Sequence, residues 1–130
     1  MVAGISSGSA GYWRVNSDSS STYVWIGIEG NGTSPVGGVG GNTYGTWNQS
    51  NALWNYAGNP LTIVTQDFMD YSVTDKHKPV LSRAGSLGKE VTAFHTRWPS
   101  TAAITSIQLI AGASDTWIVG STFALYGIAA

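Results

Sequence analysis

Few side chains in this chain have the chemistry of a catalytic or metal site. His77 and His95 could each join a Ser-His-Asp arrangement, and Asp67 and Asp70 are the two acids closest in sequence. The two acids have opposite strand parity, and no second acidic cluster completes a metal or glycosidase site. His95 shares its parity with Arg97 and is interpreted as a histidine on a strand surface. These residues predict a protein that is not an enzyme and that holds no metal and no cofactor.

Two glycine- or serine-rich stretches resemble ligand loops only superficially. The glycine run at residues 37–41 does not open a helix and is not followed by Lys-Ser or Lys-Thr, so it lacks the parts of a phosphate cradle. Residues 16–20, Asn-Ser-Asp-Ser-Ser, lack the repeated acids, the central glycine and the closing glutamate of a calcium loop. A turn is predicted there.

The composition predicts an all-β domain. Of the 130 residues, 10% are charged and 12% aromatic, and the polar remainder is rich in residues that favour turns between short strands. The net charge of −1 argues against a duplex nucleic acid as partner. There is no cysteine, no segment as long as a membrane span and no secretory signal, so no membrane partner and assembly in the cytoplasm are expected.

Alternating apolar residues predict about eight strands, arranged as a single jelly-roll-like β-sandwich over residues 12–130. In residues 23–29, Val24, Ile26 and Ile28 are expected to face the core, which leaves the aromatic face of that strand for a partner. Residues 30–41 are expected to be a mobile loop or an extended connection because they are too rich in glycine for a regular strand. Phe123 is expected to be buried in a terminal strand at 122–128, where Phe123→Ala would cost roughly 3–5 kcal/mol.

Two segments are candidate contact surfaces. Aromatic residues separated by Asn, Gln, Ser, Thr and Gly could contact a protein or a glycan, or could pack within the fold: Tyr44, Trp47, Trp54 and Tyr56. Residues 1–11 are small, with Val2 and Ile5 as the sizeable apolar side chains. They are predicted to form a flexible arm that contacts a neighbour, or a disordered terminus.

The end of the chain resembles a known family. An Ala-Ile-Thr-Ser-Ile segment at residues 103–107 is followed by Gly-Ser-Thr-Phe-Ala-Leu-Tyr-Gly-Ile at 120–128. This pattern is similar to that of small β-structural virion proteins of tailed bacteriophages. Three upstream features also resemble that family: the stretch Arg-Val-Asn-Ser-Asp at 14–18, Tyr23, and Lys78 followed by Pro79.

The resemblance implies a structural or adhesive module in a virion. The first expectation is a capsid decoration or cement protein that binds the major capsid protein on the head surface as a homo-oligomer, with a trimer suggested by three-fold junctions of shells. The alternative is a receptor-binding or carbohydrate-binding adhesin at the tail tip, with the aromatic residues of 44–56 stacked on host glycans.

Overall fold

The computed structural model describes residues 2–3, 11–19, 23–42, 45–46, 62–86, 90–111 and 116–128. These residues form strands and turns without a helix, which confirms the all-β prediction. The strands are β1 (Val2–Ala3), β2 (Gly11–Val15), β3 (Tyr23–Gly30), β4 (Pro35–Asn42), β5 (Gly45–Thr46), β6 (Thr62–Phe68), β7 (Lys78–Ser86), β8 (Glu90–Trp98) and β9 (Ile107–Ala111).

The strands form two antiparallel sheets. The larger sheet has the order β1-β6-β7-β8-β3-β4, and the smaller has the order β5-β2-β9. Because β1 and β5 have only two residues each, the longer strands number five and two. A jelly roll has eight strands built from two Greek keys. The described strands do not confirm that arrangement.

The hydrophobic core lies between the two sheets. Its centre is Trp13 of β2, which is fully buried and packs edge-on against Tyr23 and Phe68, with ring centroids 5.4 and 5.1 Å apart. Seven buried side chains form this cluster: Trp13, Val15, Tyr23, Val64, Val80, Ala84 and Trp98. Ile107 and Leu109 of β9 pack against it. Burial of large rings supplies most of the apolar area that holds the sheets together.

The orientation predicted for β3 is wrong. Tyr23 and Trp25 are buried, whereas Val24, Ile26 and Ile28 are 43%, 56% and 66% exposed. Both faces of this strand are apolar, so the two-residue period separates the faces without showing which one is inside. The aromatic rings take the inside because Trp13 and Phe94 contact them there.

The loop predicted at residues 30–41 is also wrong, because β4 pairs with β3 along its whole length. The glycines of these strands make room for rings. A Cβ atom at Gly40 would lie 2.5 Å from the Trp25 indole, and one at Gly27 would lie 2.2 Å from the Phe94 ring. Aromatic side chains therefore lie across glycine positions and cover the backbone that those residues leave bare.

Replacing Gly27 should destabilise the fold through this contact. Gly27→Ala forces the buried Phe94 ring to move, which we expect to lower the free energy of unfolding by about 1–3 kcal/mol. Gly30→Ala in the same strand is the matched control, because nothing lies within 4 Å of its added Cβ. Urea unfolding of both variants measures the difference, and equal midpoints would contradict the packing described here.

The N-terminal segment contributes to the larger sheet. Val2 pairs with Ile63 and Ala3 with Thr62, so β1 lies at the edge beside β6. Gly11 is the first residue of β2. Ile5 lies outside the described residues.

The terminal strand predicted at residues 122–128 is not formed. Thr122 is an isolated bridge residue, and residues 123–128 belong to no strand. Phe123 is 43% exposed and contacts Trp117, with ring centroids 5.1 Å apart, so its predicted burial is wrong. Alternation in the sequence favours an extended conformation, but a strand also requires a partner edge, which this segment lacks among the described residues.

Candidate interaction surface

The face of the larger sheet that points away from the smaller sheet is apolar and exposed, and we call it the outer sheet face. It carries aliphatic side chains that are between 36% and 72% exposed. They are Val24, Ile26, Ile28, Val39, Ile63, Leu81 and Val91. All of them come from regular strands with defined register, so they form a surface of fixed geometry.

Strand register makes these side chains neighbours. Val39 lies opposite Ile26, Ile26 opposite His95, and His95 opposite Leu81, which gives one continuous row across β4, β3, β8 and β7. Adjacent strands lie about 4.8 Å apart, so the row is about 14 Å wide. His95 lies within this row, between Ile26 and Leu81. Large exposed apolar patches on a soluble protein mark interaction sites.

Charged groups lie among the aliphatic side chains of this face. Arg97 is opposite Val24, and Arg83 lies in the same row as Ala93 and Ile28. Arg83 pairs with Asp67 at 3.8 Å, with both side chains well exposed, and an exposed ion pair of this kind contributes little to stability. The outer sheet face therefore combines exposed aliphatic side chains with interspersed charged groups.

A second cluster, which we call the Asn16 junction, joins the smaller sheet to the loop before β9. The Asn16 amide nitrogen donates to the carbonyl of Ala103 at 2.7 Å. Its side-chain oxygen accepts from the Thr105 backbone N–H at 2.8 Å, from the Thr105 hydroxyl at 3.1 Å and from the Ser106 N–H at 3.2 Å. Asn16 has a φ of 51°, a left-handed conformation that asparagine tolerates better than most residues.

Residues near the Asn16 junction extend the polar network. Asp18 accepts a hydrogen bond from the Trp98 indole at 2.8 Å, and Tyr23 donates its hydroxyl proton to the Asp18 carbonyl at 3.3 Å. Lys78 is fully buried, and its ammonium donates to the carbonyls of Lys76 at 2.6 Å and Thr101 at 3.1 Å. Several residues on which the family resemblance rests therefore hold the fold together.

Burial raises the pKa of the Tyr23 phenol. Desolvation is the main cause, and the nearby Asp18 carboxylate acts in the same direction. The hydrogen bond from the Val15 N–H and the charge of Arg14 oppose it. Tyr23 therefore remains a neutral hydrogen-bond donor at physiological pH.

The residues that the sequence suggests for catalysis or metal binding do not form one cluster in the structure. Asp67 pairs with Arg83 in the sheet, whereas Asp70 lies in the following turn and pairs with Lys76 at 3.3 Å. His95 is an exposed strand residue, as its parity predicts. Among the described residues no group of three or more His, Cys, Asp or Glu side chains could hold a metal ion.

Several predicted site residues cannot be placed. Tyr44, Trp47, Trp54 and Tyr56 lie outside the described ranges, so their role in a contact surface stays a prediction. Residues 4–8, Gly-Ile-Ser-Ser-Gly, have the spacing of a hydrolase nucleophile turn and lie outside those ranges too. The expectation that the protein is not an enzyme likewise stays a prediction.

The outer sheet face was missed by sequence reasoning, although the signal was present. The alternation of Val24, Ile26 and Ile28 predicts an apolar face of β3 but places that face in the core. Two apolar faces on one strand indicate either burial on both sides or one face reserved for a partner.

Comparison of the chain with protein-family models, with curated proteins and with solved structures gave no match. The described part of the chain contains no helix able to cross a membrane. Function is therefore inferred from the residues and their geometry.

Proposed function

We propose that this protein is a capsid decoration protein of a tailed bacteriophage. It binds the major capsid protein on the assembled head, acts as a homo-oligomer and reinforces the junctions between shell subunits. Two independent features support the proposal: the resemblance of the chain to small β-structural virion proteins, and a two-sheet fold with one broad surface suited to a protein partner.

The outer sheet face is the observation that carries the proposal. Its large aliphatic side chains are held by the hydrogen-bonded strands β3, β4, β6, β7 and β8, so little conformational entropy is lost when they are covered. Burying apolar area contributes about 25 cal/mol per Å² before the costs of association. A ligand that binds only the assembled shell stabilises it by mass action, by about 2.7 kcal/mol at a hundred times its Kd.

The chemistry of this face favours a protein over a glycan. Sugar sites use aromatic rings beside polar groups, whereas the large apolar side chains of the outer sheet face are aliphatic. The tail-tip adhesin depends instead on Tyr44, Trp47, Trp54 and Tyr56, which the structure does not describe.

Labelling of intact virions tests the location. Gold-labelled antibody against this protein should decorate the head in electron micrographs. Label confined to the tail tip would overturn the decoration role and favour the adhesin.

Substitution of the outer sheet face tests the surface itself. Ile26→Glu combined with Ile28→Glu should weaken binding to heads that lack the protein by roughly a hundred-fold or more, since two aliphatic side chains lose about 1.5–3 kcal/mol of burial each. His95 and Arg97 share that face, so the new carboxylates are accommodated in the free protein. Sedimentation of bound protein with the heads measures the loss.

Val119→Glu is the matched control, because Val119 is fully exposed in a turn outside the outer sheet face. This control should bind heads as the unmodified protein does. Equal binding by the double variant, with its melting temperature unchanged, would exclude the outer sheet face as the contact.

A further inference from the structure

Residues 122–128 form an exposed apolar segment that has no partner strand among the described residues, and we call this segment the C-terminal tail. Leu125, Tyr126 and Ile128 are 80%, 85% and 87% exposed, and Phe123 is 43% exposed. Such exposure of four large apolar side chains within seven residues is unfavourable in water. The tail therefore has the surface of a segment that is covered by another molecule.

The composition of the tail suits a β-strand. Thr122, Phe123, Tyr126 and Ile128 are residue types enriched in strands, and no residue of the tail is charged or a proline. Its backbone N–H and C=O groups can satisfy their hydrogen bonds by joining the edge of a sheet.

The larger sheet offers such an edge at β4. This strand pairs with β3 on one side and is the last strand of the sheet among the described residues. It is eight residues long and contains no charged residue. Natural proteins usually protect an exposed edge with charges, bulges or very short strands, so a long neutral edge is a template for pairing.

A cavity of about 220 Å³ lies beside this edge. The Trp25 and Phe94 rings line it, together with Gly27 of β3 and with Val36 and Gly38 of β4. Among the described residues the buried Trp25 indole N–H has no hydrogen-bond partner, and the indole lies against Gly40 of β4. An unsatisfied buried donor costs about 1–3 kcal/mol, and an added strand brings carbonyl acceptors to this edge.

We propose that the C-terminal tail of one copy of this protein adds as a strand to β4 of a second copy. One large side chain of the tail fills the cavity between Trp25 and Phe94. The lengths agree, with seven residues in the tail and eight in β4, and both segments are uncharged. This inference does not depend on the role in the capsid, because donor and acceptor belong to the same chain.

Such a contact sets the form of the oligomer. The tail and β4 are different surfaces, so the contact is heterologous and each copy both donates and accepts a strand. Head-to-tail contacts of this kind generate a closed ring where the rotation closes. The donated strand thus accounts for a homo-oligomer without using the outer sheet face.

Engineered disulfides test the contact, because the chain has no cysteine of its own. One chain carries Val39→Cys in β4, and a second, mass-tagged chain carries Leu125→Cys or Tyr126→Cys in the tail. On mild oxidation of the mixture, we expect the mixed disulfide for one of the two tail positions at roughly ten-fold the control yield, because association raises the effective concentration of the thiols. The other position should cross-link less, since neighbouring residues of a strand point to opposite faces.

Val119→Cys provides the control, since Val119 is fully exposed and precedes the tail. Mixed disulfides that do not exceed this control at either tail position would overturn the proposal. Two double variants, Val39→Cys/Leu125→Cys and Val39→Cys/Tyr126→Cys, carry both cysteines on one chain. Their disulfides show whether the tail pairs with β4 of its own copy or with β4 of another copy. A disulfide that leaves the chain monomeric at every concentration would also overturn the proposal.

Deletion of the tail gives an independent readout. A chain that ends at Phe123 loses the rest of the tail but keeps the ring contact with Trp117, so it should keep the melting temperature of the monomer but lose the oligomer in native mass spectrometry. An unchanged oligomeric mass would overturn the donated strand. Neither the disulfide experiment nor the tail deletion uses capsids. Their results are therefore independent of the head-binding test.

Discussion

Replacing Trp13 by alanine should lower the free energy of unfolding by roughly 3–5 kcal/mol. Trp13 is fully buried and packs edge-on against Tyr23 and Phe68, so alanine leaves a cavity between the sheets and removes two ring contacts. For a domain of this size the loss is a large part of the total stability. Guanidinium unfolding monitored by circular dichroism measures it.

Trp13→Phe keeps the experiment informative if the alanine variant does not fold. Phenylalanine retains most of the packing, and it removes the Trp13 indole N–H, which is buried without a hydrogen-bond partner. We therefore expect Trp13→Phe to cost much less than Trp13→Ala.

Phe123→Ala is the second comparison. Phe123 is 43% exposed and contacts Trp117, so its truncation should cost about 1 kcal/mol at concentrations where the chain is monomeric. A large loss for Phe123 and a small one for Trp13 would show that the core lies elsewhere.

Replacing Asn16 by alanine should cost roughly 2–4 kcal/mol, from lost hydrogen bonds and from a left-handed backbone that alanine disfavours. The Asn16 side chain makes four hydrogen bonds to residues 103–106, which are separated from it by 87 to 90 positions in the chain. These bonds attach the loop before β9 to the turn after β2. Thermal unfolding of the variant measures the loss.

Two further substitutions separate the loss of the side-chain hydrogen bonds from the cost of the left-handed backbone. Asn16→Gly tolerates the φ of 51° but removes the side-chain bonds, so it should recover only the backbone part of the loss. Asn16→Asp keeps the acceptor for Thr105 and Ser106 but loses the donor to Ala103, and it should fall between the unmodified protein and alanine.

Asn31 provides the matched control for Asn16. Its side-chain oxygen also accepts three hydrogen bonds, from the Thr33 N–H, the Thr33 hydroxyl and the Ser34 N–H, at 2.8 to 3.0 Å. These bonds are exposed and stay within one hairpin turn, so Asn31→Ala should cost less than about 1 kcal/mol. Equal losses at the two positions would show that the Asn16 junction adds no more stability than the hydrogen bonds of an exposed turn.

Composition and periodicity predicted the class of the fold. Few charges, many turn formers and alternating apolar residues indicate strands. The strands that this pattern predicts at residues 12–15, 23–29, 61–71, 79–84, 91–98 and 104–111 overlap β2, β3, β6, β7, β8 and β9. These properties are local, because the extended backbone and the alternation of side chains arise within a few residues. The lack of a convincing helical pattern was equally local.

Which face of a strand lies inside depends on residues far away in the sequence. Tyr23 and Trp25 point inward because Trp13 and Phe94 lie there, and β4 is a strand that pairs with β3 along its whole length, with the Trp25 indole against Gly40. Neither fact can be read from residues 23–42 alone, where both faces of β3 are apolar and β4 is mostly glycine.

The candidate surfaces show the same division between what local sequence determines and what contacts between distant segments determine. The sequence by itself determined an all-β chain with a strand-like apolar end, because alternation and composition are local properties. Only the tertiary structure decided that Ile26 and Ile28 are exposed, that Asn16 meets residues 103–106, and that the tail has no strand beside it among the described residues. Each of these depends on strand pairing and sheet packing between distant segments, and the two-residue period carries no information about which segments meet.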